Sequence, residues 1–204
     1  MKIVVSALDE QWESLTGNNT DIRWVRGTFP FSFLNYIDAA AFFILQHPES
    51  IDYTQCTKPV FIDSVIDTLK ELNTPSYVLR INGWAGFLNR PTWEIAGILN
   101  TDITLILEKL NKKLIAVADE PGLVAAKIIA MIINEAYFAL GDDVSDRTAI
   151  DTAMKLGTNY PYGPFEWAEK IGLNNIYNLL QKLSVTDKRY QPAPMLAKDA
   201  SQNK

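Results

Sequence analysis

The stretch that decides the fold of this 204-residue chain is DTAMKLGTNYPYGPFEW, residues 151–167. Its first part has a helical pattern that Gly157 is expected to end. Asn159 and Pro161 favour a turn, and Pro164 is typical of the first position of a new helix. The stretch therefore predicts two helices joined by a tight turn, in which these residues have a structural role.

The residues on both sides of this turn predict more helices. From Leu123 to Leu140 apolar residues recur at helical spacing without a breaker, which indicates a long and largely buried helix. Ser145 is the expected cap of the helix that follows. Further helices are predicted at residues 147–156, 164–171 and 175–183. The tail at residues 191–194 contains two prolines and is expected to be extended.

The first 118 residues differ, because short apolar runs alternate there with helical or turn-rich segments. The runs predict strands at residues 2–7, 22–25, 40–45, 59–62, 77–81, 93–98 and 114–117. Helices are predicted at residues 8–15, 65–72 and 103–110. Strands separated by helices imply a mostly parallel sheet. The chain is therefore expected to hold an α/β domain at residues 1–118 and an all-helical domain at residues 119–204.

Composition disfavours several classes of function. The net charge of −5, from 24 acidic and 19 basic residues, disfavours nucleic-acid binding. The single cysteine, Cys56, excludes an internal disulfide framework and favours a cytoplasmic location. Neither a signal peptide nor a membrane-spanning run is expected, and no Cys/His cluster predicts a metal site.

The helical half resembles the C-terminal domain of the 3-hydroxyacyl-CoA dehydrogenase family. The resemblance rests on motifs that occur in order: DEPGLV at 119–124, INEA at 133–136, the stretch at 151–167, IGL at 171–173 and RYQPAPML at 189–196. It implies a helical domain of the 6-phosphogluconate dehydrogenase type behind a reduced Rossmann-like domain. It also implies NAD-dependent oxidation of 3-hydroxyacyl-CoA in fatty acid metabolism, and a homodimer that forms through the helical domain.

The first half lacks the glycine motif that the family uses to bind NAD. In G-x-G-x-x-G, glycines let the backbone approach the pyrophosphate at a helix N-terminus. Here no glycine precedes Gly17, Leu8 is bulky, and Asp9 and Glu10 would repel phosphate. Arg26 follows the second predicted strand, where the family has an acidic residue for the ribose. No cofactor is therefore expected, although the resemblance alone implies NAD.

The resemblance also implies a His–Glu pair, in which the His is the general base and the Glu orients it. The corresponding stretch is residues 80–94, where Glu94 matches the family's glutamate but no His precedes it. The one histidine, His47, lies elsewhere and has the pattern of a solvated loop residue. Glu94 is thus a candidate catalytic residue, with a purely structural carboxylate as the alternative.

Ser64 is the second candidate catalytic residue. It either matches the family's active-site Ser or caps a helix that begins at Val65. Three aromatic residues, Trp84, Phe87 and Trp93, either line an apolar cleft or pack in the core.

Two forms of function follow from these observations. The chain is either a pseudoenzyme, that is, a dehydrogenase-like protein whose activity is weak or lost, or a non-catalytic module. The module would bind an acyl-CoA or a related small molecule, or act as the dimeric partner of another enzyme. The apolar helix at Leu123–Leu140 favours a homodimer, with burial inside the chain itself as the alternative.

Overall fold

The computed structural model describes residues 1–17 and 21–202. It divides into two compact units, Met1–Leu123 and Val124–Lys204. The first unit holds a seven-stranded sheet, and the described part of the second unit holds helices without strands. The predicted fold class, a Rossmann-like sheet followed by a helical domain, is confirmed.

The strands of the first unit follow the apolar runs of the sequence. They are β1 (Lys2–Ser6), β2 (Arg23–Arg26), β3 (Ala41–Ile44), β4 (Val60–Asp63), β5 (Val78–Ile81), β6 (Thr92–Ala96) and β7 (Lys113–Ala116). Their order in the sheet is β2-β1-β3-β4-β5-β6-β7. Neighbouring strands are parallel except β5 and β6, which are antiparallel.

The centre of the sheet is buried on both faces, which explains the near-continuous apolar runs. Every residue of β3 is buried, and the rings of Phe43 and Phe61 stack with centroids 4.6 Å apart. Two helices belong to this unit: α1 (Asp9–Thr16) after β1 and α2 (Thr101–Lys109) before β7. Single 3₁₀ turns at Phe33–Tyr36, Pro48–Ser50 and Tyr53–Gln55 accompany the other connections.

The strand order reverses at β1, which pairs with β2 on one side and β3 on the other. In open α/β sheets such a reversal opens a crevice outside the carboxyl ends of the strands, where ligands bind. The residues that follow β1, β3, β4 and β5 are therefore the ones to test for function.

The helix predicted at residues 65–72 is wrong: the chain forms turns there. Side chains take the backbone groups that a helix would use. The Asp119 carboxylate accepts the N–H groups of Leu69 (3.1 Å) and Lys70 (3.3 Å). The guanidinium of Arg80, which is fully buried, donates to the carbonyls of Ser64 (2.7 Å) and Val65 (3.1 Å).

The second unit contains five α-helices. They are α3 (Ala125–Gly141), α4 (Arg147–Thr158), α5 (Pro164–Ile171), α6 (Leu173–Ser184) and α7 (Pro194–Gln202). Helix α7 was not predicted; the expected extended segment reaches only Ala193, and Pro194 opens the helix. Buried Leu196 and Ala200 hold α7 against the unit.

Two expected boundaries of α4 are also wrong. Its N-cap is Asp146, whose side chain accepts from the N–H of Ala149 (2.8 Å), and not Ser145. The helix continues through Gly157 to Thr158, and its C-cap residue Asn159 takes the left-handed conformation with φ of 56°. Asn tolerates this conformation better than most residues, so no glycine is needed.

The turn between α4 and α5 is held by one buried carboxylate. Asp151 accepts the backbone N–H groups of Phe165 (2.8 Å) and Glu166 (3.2 Å). These groups lie in the first turn of α5, where N–H groups have no partner within the helix itself. Gly163 lies so close to this carboxyl group that a Cβ atom at residue 163 would overlap it. The shape of the stretch therefore comes from a helix cap and the space it needs.

We expect Gly163→Ala to lower the free energy of unfolding by about 1–3 kcal/mol, because the new methyl group displaces the capping carboxylate. Gly157→Ala is the matched control: a Cβ there meets no atom within 4 Å, and it should stabilise α4 by about 0.5–1 kcal/mol. Urea unfolding of the three proteins measures both effects. Equal effects of the two substitutions would show that the Asp151 contact does not decide the turn.

Candidate functional site

The turn between β1 and α1 is closed by the protein's own side chains. The N–H of Leu8 donates to Oε1 of Gln11 (3.2 Å), and Leu8 is the N-cap residue of the helix. From β2, Arg26 donates to the carbonyl of Ala7 (3.3 Å) and pairs with the carboxylate of Asp9 (2.5 Å). The same guanidinium lies 5.3 Å from the ring centre of Trp12.

This turn does not fit a dinucleotide. A pyrophosphate needs free backbone N–H groups and space beside them at the start of the helix. Here Gln11 occupies the N–H of Leu8, the Leu8 side chain stands exposed at the same place, and Asp9 and Glu10 put negative charge in the first turn. Arg26, the nearby cation, is already paired with Asp9.

Asp63, at the end of β4, is the centre of a hydrogen-bonded cluster beside this turn. Its Oδ1 accepts the N–H of Gly83 (2.9 Å) and its Oδ2 accepts Nε2 of Gln11 (3.1 Å). Nε2 of Gln11 also donates to the carbonyl of Gly83 (3.3 Å). Although part of the side chain remains accessible, the dense surroundings desolvate the carboxyl group and raise the pKa of Asp63 from 3.8 to about 7.

Asn82 is a residue at this edge that the sequence reasoning missed. Its Oδ1 accepts the N–H of Trp84 (3.1 Å), which fixes the orientation of the amide. Its Nδ2 is buried and has no hydrogen-bond partner among residues 1–17 and 21–202. A buried donor without a partner costs about 1–3 kcal/mol, so a site of this kind calls for an oxygen acceptor from water or a ligand.

Asn82 directly follows β5, whose last residues pair with β6. Arg80 pairs with Ala96 and Ile81 with Ile95, so one further step of the same register would bring Asn82 opposite Glu94. The sequence alone did not predict this relation, because these strands were expected to belong to a mostly parallel sheet and the antiparallel register was not foreseen.

Glu94 lies on β6, where it is also in register with Ile115 of β7. Its side chain is half-buried and takes part in interactions within the protein. Phe61, Trp93 and Ile95 pack in one cluster on one face of the sheet. Because side chains alternate along a strand, Asp63 shares that face while Glu94 points to the other.

Ser64 does not cap a helix, because no helix follows it. Its hydroxyl donates to the carbonyl of Asp67 (2.8 Å) and closes a local turn. Its carbonyl accepts from Arg80. Ser64 directly follows β4 and Glu94 lies on β6, with β5 between the two strands, and their catalytic roles stay predictions.

The remaining residues singled out by the sequence have structural positions. Trp84, Phe87 and Trp93 are all buried, which agrees with core packing, and the indole N–H of Trp93 donates to the carbonyl of Leu88 (3.1 Å). His47 is exposed, in a left-handed conformation beside Glu49. In the part of the chain that the structure describes, no group of three or more His, Cys, Asp or Glu side chains could hold a metal ion.

The described helices do not include one that is both long and apolar enough to cross a bilayer. This finding concerns residues 1–17 and 21–202 only.

Comparison with known proteins agrees with this architecture. The family model described as 3-hydroxyacyl-CoA dehydrogenase, C-terminal domain, matches residues 122–204. The 3-hydroxyadipyl-CoA dehydrogenase of Escherichia coli K12 is 42% identical over 96 residues, which is 46% of this chain and 20% of that protein. A probable 3-hydroxybutyryl-CoA dehydrogenase of Bacillus subtilis is 36% identical over 99 residues, 48% of this chain and 34% of that protein.

The solved structures extend the likeness of fold to the first unit. The (S)-3-hydroxybutyryl-CoA dehydrogenase of Ralstonia eutropha superposes with a TM-score of 0.73 and 17% identity, and the match covers 99% of this chain and 94% of that one. A 3-hydroxybutyryl-CoA dehydrogenase from Escherichia coli K12 gives a TM-score of 0.58 at 34% identity, over 70% of this chain and 31% of that one.

The fold and these matches define a protein with a Rossmann-like sheet followed by a helical second unit. The helical unit belongs to the family of 3-hydroxyacyl-CoA dehydrogenase C-terminal domains, whose model matches residues 122–204. The matched segments span only 20% and 34% of the first two curated relatives.

Proposed function

We propose that this chain is a 3-hydroxyacyl-CoA dehydrogenase-like protein in which NAD-dependent oxidation is weak or lost. The observation that carries the proposal is the closed turn between β1 and α1. There, Gln11 accepts the N–H of Leu8, and Arg26 bonds to the Ala7 carbonyl and pairs with Asp9. A cofactor whose phosphate needs the Leu8 N–H would have to break its bond to Gln11 and approach Asp9 and Glu10.

The Asn82–Glu94 register supports the same proposal. The resemblance to the family implies a His–Glu pair, in which an imidazole accepts the proton of the hydroxyl group. The β5–β6 register, extended by one residue, brings Asn82 opposite Glu94, and an amide has no lone pair that takes a proton near neutral pH. An amide and a carboxylate in this place can bind a polar ligand, but they do not replace the imidazole as a base.

The ligand that we propose is an acyl-CoA or a chemically related small molecule. The relatives are described as dehydrogenases of 3-hydroxyadipyl-CoA and 3-hydroxybutyryl-CoA. The unpartnered Nδ2 of Asn82 is a donor suited to a carbonyl or hydroxyl oxygen of such a ligand. The alternative is a protein without a small ligand that serves as the dimeric partner of another enzyme. Cytoplasmic location stays a prediction from the single cysteine.

Titration with NADH is expected to show no binding below the millimolar range, because the turn between β1 and α1 offers no free phosphate cradle. Isothermal calorimetry measures this directly, and a 3-hydroxybutyryl-CoA dehydrogenase measured alongside serves as the positive control. Acetoacetyl-CoA in a parallel titration separates a protein that has lost only the cofactor from one that has lost both ligands. Sub-millimolar affinity for NADH would contradict the proposal.

Glu94→Gln is expected to weaken the binding of acetoacetyl-CoA with little change in melting temperature, if Glu94 contacts the ligand. The substitution keeps size and hydrogen-bonding capacity while removing the charge. Asp102→Asn, an exposed acid in the first turn of α2, is the control for loss of one negative charge. Loss of stability by about 1 kcal/mol or more with unchanged binding would assign Glu94 a structural role instead.

We also propose a homodimer that forms through α3. This helix is apolar on nearly every side, and Ile128 and Phe138 remain exposed on it. An exposed apolar helix surface is typical of an interface between subunits.

Sedimentation equilibrium is expected to give twice the chain mass of 22.9 kDa. Ile128→Glu should shift the mass towards the monomer, because it places a charge in the apolar surface. Leu156→Glu is the control, since Leu156 is an exposed apolar residue on α4 rather than α3. A concentration-independent mass near 22.9 kDa for the unmodified protein would rule out the dimer.

A further inference from the structure

Both polar groups of one peptide residue, Gly83, are held by the side chains of Asp63 and Gln11. The N–H of Gly83 donates to Oδ1 of Asp63 (2.9 Å), and its carbonyl accepts from Nε2 of Gln11 (3.3 Å). The carboxyl group of Asp63 lies against Cα of Gly83, where a Cβ atom would overlap it. The backbone at residue 83 is thereby fixed from the α1 side of the sheet.

Asn82 precedes Gly83, and the amide of Asn82 is fixed through the next peptide group. Oδ1 of Asn82 accepts the N–H of Trp84 (3.1 Å). The three consecutive residues 82–84 therefore form one short turn, in which the hydrogen bonds of Gly83 and the orientation of the Asn82 amide depend on the same backbone. A change in the bonds of Asp63 would be transmitted to Asn82 through one peptide unit.

The two protonation states of Asp63 cannot make the same hydrogen bonds. An ionised carboxylate accepts at both oxygens, which matches the donors from Gly83 and Gln11. A protonated carboxyl group carries a donor on one oxygen, so that oxygen no longer suits Nε2 of Gln11. Gln11 must then turn, and its contact with the Gly83 carbonyl and with the N–H of Leu8 changes as well.

The surroundings of Asp63 place the midpoint of its protonation near neutral pH. Burial raises the pKa of Asp63, whereas the bonds from Gly83 and Gln11 and the charge of Arg80 on β5 lower it, to a net value of about 7. Arg80 is paired with Asp119. In the first turn of α1 stand Asp9, which is paired with Arg26 of β2, and Glu10.

We propose that Asp63 is a positioning residue that sets the conformation of the Asn82–Trp84 turn according to its own protonation state. The proposal concerns the turn itself and does not depend on whether Asn82 binds the ligand proposed above. It makes the edge of the sheet respond to pH in the physiological range.

The test is a titration of the ¹⁵N-labelled protein by NMR between about pH 5 and about pH 9. The backbone amides of Gly83 and Trp84 and the side-chain amide of Asn82 are expected to shift with one common midpoint, near pH 7. Asp63→Asn should abolish this midpoint. Gln11→Met should move it to higher pH, because the hydrogen bond from Gln11 lowers the pKa of Asp63. Asp52→Asn, an exposed acid bonded to Thr54 and Gln55, should leave it unchanged.

Protein stability gives a second readout. The folded protein holds the Asp63 proton more tightly than the unfolded chain, because its pKa is raised from 3.8 to about 7. The contribution of Asp63 to the free energy of unfolding should therefore be largest below pH 3.8. It should fall as the pH rises to about 7 and stay level above that pH. Asp63→Asn should show a smaller decline than the unmodified protein.

A midpoint that appears at Gly83 but not at Asn82 and Trp84 would overturn the proposal, because Asp63 would then be only a structural residue. A midpoint below about pH 5 would overturn it as well. If Asp63→Asn does not fold, the direction of the shift in Gln11→Met decides: movement to lower pH, or no movement, would contradict the role assigned to the Gln11–Asp63 bond.

Discussion

The first unit depends on the requirement that a buried guanidinium must satisfy its donors inside the protein. Arg80, on the interior strand β5, is fully buried, and it bonds to the carbonyls of Ser64, Val65 and Glu120 and to the Asp119 carboxylate. An unpaired charge there would cost several kcal/mol. The segment after β4 and the segment after β7 therefore both bond to Arg80. This constraint explains why residues 65–72 form turns despite a helical pattern, since their backbone is ordered by Arg80 and Asp119.

Internal hydrogen bonds also close the carboxyl edge of the sheet near α1. In a nucleotide-binding sheet the backbone groups at this edge are left for the ligand. Here Gln11 pairs with Leu8, Asp63 and Gly83, and Arg26 pairs with Ala7 and Asp9. Internal partners of this kind remove the need for a ligand at the turn, and a cofactor would have to displace them. On the β5–β6 side, in contrast, Nδ2 of Asn82 has no partner within the described residues.

Local sequence patterns were sufficient for elements that leave a direct signal in their own residues. Apolar runs located all seven strands, and Pro164 gave the first residue of α5, because helix starts and buried strands leave direct signals. Long-range partners could not be read in this way. The helix at 65–72 failed because Arg80 and Asp119 compete for its backbone. Helix α7 was missed because its prolines suggested an extended tail, although Pro194 occupies the first helical position, where it is favoured. For the site, Glu94 was identified by resemblance, but Asn82 needed the antiparallel register of β5 and β6.

The two units thus carry different kinds of information about function. The helical unit keeps the family's sequence pattern, and its best-defined feature, the Asp151 cap of α5, is structural: it depends on two N–H groups and on the absence of a Cβ atom at Gly163. A residue required for folding is retained whether or not the protein is a catalyst, so a match over residues 122–204 establishes descent and not activity. Activity has to be argued from the sheet edge of the first unit. There, the α1 turn is internally bonded and Nδ2 of Asn82 has no partner among the described residues, and these two features carry the proposal of a binding protein with weak or lost hydride transfer.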